Sequence, residues 1–126
     1  ELKMQNDKSK FKKEFIGRLI KFSINIIRFT EKAKKEKVIW SVLDQLVRSS
    51  TSVGANVVEA KASSSKKDYL RFFEIALKSA NETLYWLILL RESSPKLKLE
   101  LENLYKEAEE ISKILASSIL TLKGKK

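Results

Sequence analysis

Two glutamates near the carboxyl end are the side chains that most resemble a metal-binding pair. Glu107 and Glu110 form an E-x-x-E motif, and carboxylates at this spacing share one helix face and can bind Mg²⁺. Such a site needs a second acidic pair on a facing helix, and the sequence offers no convincing one. We interpret the pair as a solvated face and predict no catalytic residue, no metal and no cofactor.

A second polar group falls on one side of a predicted helix. At about 100° per residue its five side chains project within about 80° of one another. They are Gln45, Arg48, Ser52, Asn56 and Glu59. This polar seam could contact a ligand or a second subunit, or it could be a structural network or a solvated face. With no nucleophile or metal ligand nearby, we favour a structural network or a subunit interface.

Small and hydroxyl residues run from Ser49 to Ala55, where a core would normally place large side chains. The run could suggest an anion-binding loop. It lacks the Gly-x-x-x-x-Gly-Lys spacing of a phosphate loop, and no strand clearly precedes it. We therefore predict that it allows two helices to pack closely.

Nine basic side chains are candidates for contact with nucleic-acid phosphates. They are Lys10, Arg18, Lys21, Arg28, Lys32, Lys35, Lys66, Lys67 and Arg71. The first six share one side of the first helix. Lys and Arg bind phosphates without reading sequence, and no base-recognition motif accompanies them. The alternative is a plain solvated face.

The elements that carry these residues are four predicted helices, at about 9–35, 38–61, 66–92 and 95–122. In the first, Phe11, Phe15, Leu19 and later apolar residues recur at spacings of three and four, which is typical of a core-facing stripe. The second helix is rich in Val, Ile, Thr and Ser, and its propensity alone would allow strands. Short connections favour antiparallel neighbours. We predict an all-α, up-down-up-down four-helix bundle forming a single domain over residues 1–126.

Two helix starts are predicted from capping residues. Ser65 with Asp68 is a variant of the capping box that opens the third helix. Ser94 is a natural N-cap for the fourth helix, with Pro95 at its first position.

The first helix also carries a second apolar arc, formed by Ile16, Ile20, Ile24 and Ile27. A helix with this much apolar surface has more to bury than one neighbour usually covers, which favours oligomerisation. We take Ile16, Ile20 and Ile27, together with the polar seam, as candidate subunit contacts.

Composition excludes several classes of protein. The 126 residues include three Gly, one Pro, and neither Cys nor His, so disulfides, thiolate or imidazole metal sites and Ser-His nucleophiles are ruled out. The longest apolar run, Leu84 to Leu90, is far shorter than the roughly 20 residues that span a bilayer. No secretory signal opens the chain, and we expect a cytoplasmic location. The net charge of +10 favours polyanions or acidic partners.

The middle of the chain resembles a known family. The matching segments are Gln45-Leu46-Val47-Arg48-Ser49, Ser52-Val53-Gly54-Ala55-Asn56, Glu59-Ala60, Ser65-Lys66-Lys67-Asp68-Tyr69 and Glu82 to Leu87. They resemble the bacterial four-helix-bundle proteins encoded in ribosomal RNA intervening sequences, whose superfamily includes the accessory variability determinant of diversity-generating retroelements. The resemblance implies a homopentameric ring with a basic surface and no established enzyme activity. Retroelement relatives bind a reverse transcriptase and RNA.

These observations together predict a non-enzymatic, ring-forming homo-oligomer, a pentamer by resemblance, that binds RNA or DNA through phosphates. The resemblance implies a role as an accessory factor to an RNA-processing or reverse-transcription machinery, with a reverse transcriptase or another protein as partner. We expect no membrane association. The alternative is a protein-interaction scaffold that binds an acidic protein and has no nucleic-acid role.

Overall fold

Four α-helices make up the protein in a computed structural model that describes the backbone of residues 2–124 and the side chains of residues 9–124. They are α1 Leu2–Lys35, α2 Trp40–Ala62, α3 Lys66–Ser93 and α4 Lys98–Leu122, with a 3₁₀ turn over Pro95–Leu97. Each helix contacts the next along the chain, and α4 also contacts α1. Residues 2–124 contain no strand, so the all-α prediction is confirmed.

The first helix begins earlier than the predicted residue 9, at Leu2. The sequence from residue 2 to 8 contains neither Gly nor Pro, and nothing in it stops a helix. The helix ends where Lys37 adopts a left-handed conformation, with φ of 60°. Lys32, Lys34 and Lys35 occupy the last turn, where positive charge complements the carbonyl end of the helix dipole.

The second helix forms although its composition would suit a strand. Its buried side chains recur at helical spacing, at Leu43, Leu46, Ser49, Ser50, Val53, Val57 and Ala60. Burial of this face against α1 and α3 outweighs the modest helix propensity of its β-branched residues, since tertiary packing supplies most helical stability. The helix prediction for this segment is confirmed, with a start at Trp40 instead of residue 38.

The two predicted helix starts have different outcomes. The hydroxyl of Ser65 accepts a hydrogen bond of 3.1 Å from the backbone N–H of Asp68, as predicted. The prediction for α4 is wrong, because Ser94 makes no side-chain capping bond and Pro95 opens the 3₁₀ turn. This turn carries Leu97 into the core, where it is 4% exposed, and α4 begins only at Lys98.

The core runs the length of the bundle and is built from all four helices. From α1 it takes Phe15, Leu19, Phe22, Ile26, Phe29 and Ala33. Each large apolar side chain buried here stabilises the fold by roughly 1.5–3 kcal/mol. Phe11 was predicted to continue this stripe but is exposed, because the helices leave an opening at that end of the bundle. None of the described helices is both long enough and apolar enough to span a bilayer.

Candidate nucleic-acid and subunit interfaces

One residue of the predicted basic surface, Arg18, forms an ion pair between α1 and α4 with Glu107. Arg18 Nε lies 2.7 Å from Glu107 Oε2, and Arg18 Nη2 lies 2.7 Å from Glu107 Oε1. The hydrogen bonds to Glu107 raise the pKa of Arg18, partial desolvation opposes the rise, and the charges of Glu107 and Glu110 add to it. The E-x-x-E pair therefore faces a guanidinium of the same chain, and Glu107 has both of its oxygens engaged.

A second ion pair between α1 and α4 joins Lys32 and Glu100, whose Nζ and Oε1 atoms are 2.5 Å apart. Two of the six candidate cations on α1 are thus neutralised by carboxylates of α4. Lys10 with Glu14, within α1, makes a weaker pair at 4.0 Å. Arg71 on α3 pairs with Asp68 at 3.9 Å. Exposed pairs at such distances contribute little, so Lys10 and Arg71 stay available to a partner.

The three remaining candidate cations of α1 form a line of exposed charge. Lys21, Arg28 and Lys35 have no carboxylate within ion-pair distance among the residues whose side chains are described. They are spaced by seven residues, so they lie along one face over about 21 Å. Arg28 also borders a shallow groove between α1 and α4, of about 380 Å³. We call these three residues the α1 cation line.

The structure does not unite all nine candidate cations on one surface. Helix α3 packs against α2 and α4 and lies diagonally across the bundle from α1. Lys66 and Lys67 open that helix, and Lys66 lines a pocket at the end of the bundle together with Lys12. The α3 cations are therefore separate from the α1 cation line. The prediction that any of the nine contacts phosphate stays a prediction.

The polar seam on α2 is a hydrogen-bonded network at its centre. Ser52 Oγ lies 3.0 Å from Ser79 Oγ on α3, and Asn56 Nδ2 donates to the carbonyl and hydroxyl oxygens of Ser52 at 2.8 and 3.1 Å. The outer members Gln45, Arg48 and Glu59 are exposed. The centre of the seam therefore orders the α2–α3 contact, and its ends are open to a second subunit.

Small residues let α2 lie close to both of its neighbours. Ser49 Oγ is 2.9 Å from Thr83 Oγ1 in the α2–α3 interface, and a Cβ added at Gly54 would lie 3.5 Å from Leu19 Cβ of α1. The whole run from Ser49 to Ala55 is helical. The loop alternative is wrong, and the packing interpretation agrees with the structure.

An apolar patch extends over α1 and the start of α2. Ile20, Ile24 and Ile27 are 55%, 41% and 45% exposed, whereas Ile16 packs partly against the core. Trp40, which is 66% exposed, lines the same cavity of about 180 Å³ as Ile27. Sequence reasoning missed Trp40, because it lies on α2, outside the periodic arc of α1. We call Ile20, Ile24, Ile27 and Trp40 the isoleucine–tryptophan patch.

Two other aromatic residues, on α3, differ in their burial. Trp86 is half-buried, and its indole N–H donates to Glu82 Oε2 at 3.0 Å. Tyr85 is exposed on the single chain. Over the described part of the chain, no three acidic side chains cluster closely enough to hold a metal ion.

Comparison with known proteins places this architecture in a family. The family model described as 23S rRNA-intervening sequence protein matches residues 12–117. A crystal structure of a protein of unknown function from the S23 ribosomal protein family of Bacteroides thetaiotaomicron has a TM-score of 0.79 and 33% sequence identity. The match covers 83% of this chain and 97% of that one. No curated protein sequence gives a significant match. The chain belongs to the family of 23S rRNA-intervening sequence proteins.

Proposed function

We propose that this chain is a non-enzymatic basic bundle that assembles with copies of itself and binds nucleic acid through phosphates, without sequence specificity. The observation that carries the proposal is the α1 cation line of Lys21, Arg28 and Lys35. Its members are exposed, evenly spaced and free of carboxylate partners among the described side chains. A line of this kind can follow a phosphate backbone without contacting bases.

The intramolecular ion pairs narrow the proposed surface. A phosphate that approached Arg18 would compete with a bidentate carboxylate whose two contacts are both 2.7 Å. Lys32 is similarly held by Glu100. Arg18 and Lys32 position α1 against α4, and each contributes less to phosphate binding than a member of the α1 cation line.

The proposed biological setting follows from the family name and the resemblance in the sequence motifs. The family is named for intervening sequences of 23S rRNA, which favours RNA as the polyanion. A role as accessory factor to RNA processing or reverse transcription, with a reverse transcriptase as protein partner, remains a prediction.

Self-assembly is proposed from the isoleucine–tryptophan patch. Three isoleucines and a tryptophan side by side on one face are unusual for a monomer, in which exposed apolar residues are normally scattered. Gln45 and Arg48, also exposed, can provide polar contacts beside it. A ring of five copies is the arrangement that the family resemblance implies.

Fluorescence anisotropy with a labelled RNA strand of about 20 nucleotides tests nucleic-acid binding. We expect the affinity to fall steeply with salt. The variant Lys21→Glu, Arg28→Glu, Lys35→Glu should bind much more weakly. Because each phosphate contact to a single strand contributes about 0.7 to the slope of log K against log salt, loss of three contacts should reduce that slope by about 2 per chain.

A matched control separates the α1 cation line from net charge alone. Lys96, Lys106 and Lys113 are exposed on the 3₁₀ turn and α4, and changing all three to Glu alters the net charge by the same amount. This control should retain most of the binding. Equal losses in the two triple variants, or salt-insensitive binding of the wild type, would refute the proposed surface.

The scaffold alternative is a distinct outcome of the same measurements. If RNA failed to bind at low salt while polyglutamate bound, and the triple substitution in the α1 cation line abolished that binding, an acidic protein would replace nucleic acid as the proposed partner.

Light scattering tests self-assembly independently. We expect a multiple of the 14.5 kDa chain mass, and Ile20→Asp with Ile27→Asp should reduce that mass while circular dichroism stays helical. Both side chains are exposed on the single chain, so the charges need not enter the core. A wild-type monomer at micromolar concentration, or an unchanged mass in the variant, would contradict the proposed interface.

A further inference from the structure

We propose that the open end of the bundle is a binding site for a small amphipathic anion, a molecule with an apolar body and one anionic head group. A pocket of about 720 Å³ lies there between residues 11–16 in the first half of α1, the end of α2, the beginning of α3 and the end of α4. We call it the bundle-end pocket. It is separate from the α1 cation line, and the proposal does not depend on nucleic-acid binding.

The wall of the bundle-end pocket is mainly aromatic and aliphatic. Phe15 and Phe73 are buried at its base. Phe11 and Tyr69 extend that surface outward, stacked on them with ring centroids 6.1 and 4.9 Å apart. Val57 completes the wall from α2. Small-molecule sites are typically about 300–1,000 Å³ and mostly apolar with a few polar groups, and this pocket has that size and character.

Among the described side chains, the charged groups on the pocket lining are all positive. Lys12, Lys61 and Lys66 come from three different helices, and none of the carboxylates at residues 9–124 lines the pocket. Lys12 Nζ lies 4.8 Å from the centre of the Tyr69 ring, so one cation is held against the aromatic wall. Ser64, on the α2–α3 connection, also lines the pocket.

This combination selects the class of ligand. An apolar wall gains from burying hydrocarbon or an aromatic ring, which a bare phosphate or a nucleic-acid backbone does not supply. Three lysines, with no carboxylate beside them in the described lining, favour a negative head group and disfavour a positive one. A carboxylate or sulfonate with a single apolar chain or ring meets both conditions.

Titration of the full chain with octanoate, octanol and octyltrimethylammonium, followed by amide NMR shifts, tests the proposal. These three probes share one hydrocarbon chain and differ in head-group charge. We expect octanoate to bind once per chain, at least tenfold more tightly than the cation, with octanol between them. The shifts should concentrate around Phe11, Tyr69 and Ser118.

Two pairs of variants give the controls. Lys12→Gln, Lys61→Gln, Lys66→Gln should abolish the preference for octanoate over octanol, whereas Lys37→Gln, Lys96→Gln, Lys98→Gln, at the opposite end of the bundle, should preserve it. Ser118→Trp should fill the pocket and abolish binding of all three probes, whereas Lys113→Trp on the exposed face of α4 should not.

Several results would overturn the proposal. Equal binding of the three probes, shifts centred elsewhere, or full binding by Ser118→Trp would each do so. A loss of subunits on addition of octanoate would show that a second copy of the chain occupies the pocket instead. If Ser118→Trp fails to fold, the two lysine variants and the shift map still decide the outcome.

Discussion

Replacing Gly54 tests how closely α1 and α2 approach. A Cβ at this position would lie 3.5 Å from Leu19 Cβ, which is ordinary van der Waals contact. Gly in a helix interior is less favourable than Ala by about 0.8–1 kcal/mol. Since the new methyl group fits, we expect Gly54→Ala to raise the free energy of unfolding by roughly 1 kcal/mol, or the melting temperature by roughly 4 °C.

A larger side chain at the same position should have the opposite effect. Gly54→Leu also gains helix propensity, but its additional atoms must displace Leu19, which is 1% exposed and held on all sides by the core. Overpacking a well-packed site costs about 1–3 kcal/mol. The net change is therefore a loss of up to roughly 2 kcal/mol.

Gly17 provides the matched control on α1, since a Cβ there would meet no described atom within 4 Å apart from its chain neighbours and the backbone of its own helix. Gly17→Ala and Gly17→Leu should both stabilise by roughly 1 kcal/mol. Urea unfolding, measured by circular dichroism at one protein concentration, gives the free energy of unfolding of each of the four variants. Light scattering verifies that their assembly is unchanged. If Gly54→Ala destabilised the chain, or Gly54→Leu stabilised it as much as Gly17→Leu does, the described packing of the two helices would be wrong.

Two further predictions concern individual side chains. A double-mutant cycle with Arg18→Met and Glu107→Gln, measured by urea unfolding, should give a coupling energy near 1 kcal/mol. This is the upper end for partly exposed ion pairs, and we expect it because the contact is bidentate. A coupling energy near zero would contradict the bidentate geometry. Burial raises the pKa of Tyr69, so the folded chain holds the phenol proton more tightly than the unfolded chain. The contribution of the protonated Tyr69 phenol to the free energy of unfolding is complete below a pH of about 10. It is lost as the pH rises through the pKa of Tyr69 in the folded chain. Tyr69→Phe should therefore lose less stability than the wild type in strong alkali, and parallel losses would refute the assignment.

Local sequence information was sufficient for the secondary structure and most of the core. Apolar spacing predicted all four helices, including α2, because a helix buries residues three and four apart whatever the neighbouring element is. The cap at Ser65 was predictable because it involves only Asp68, three residues away. The prediction that α4 starts at Pro95, with Ser94 as its N-cap, was wrong. The burial of Leu97 favoured a 3₁₀ turn over an immediate α-helix start.

The functional surfaces needed the tertiary structure. Arg18 and Glu107 are 89 positions apart, and their pairing depends on how α1 and α4 are rotated and aligned, which periodicity does not specify. The same alignment pairs Arg18 and Lys32 with carboxylates of α4. Of the six candidate cations on α1 it leaves Lys10, Lys21, Arg28 and Lys35 available to a partner.

By itself, then, the sequence determined which residues form helices and which faces of those helices are apolar, because both depend on contacts within a few residues. Only the tertiary structure decided which charges are neutralised and which are free, because ion pairs join distant segments. It also decided that the helices leave a pocket at one end, lined by side chains from all four of them. A cavity is a property of the space between elements, and no single element encodes it.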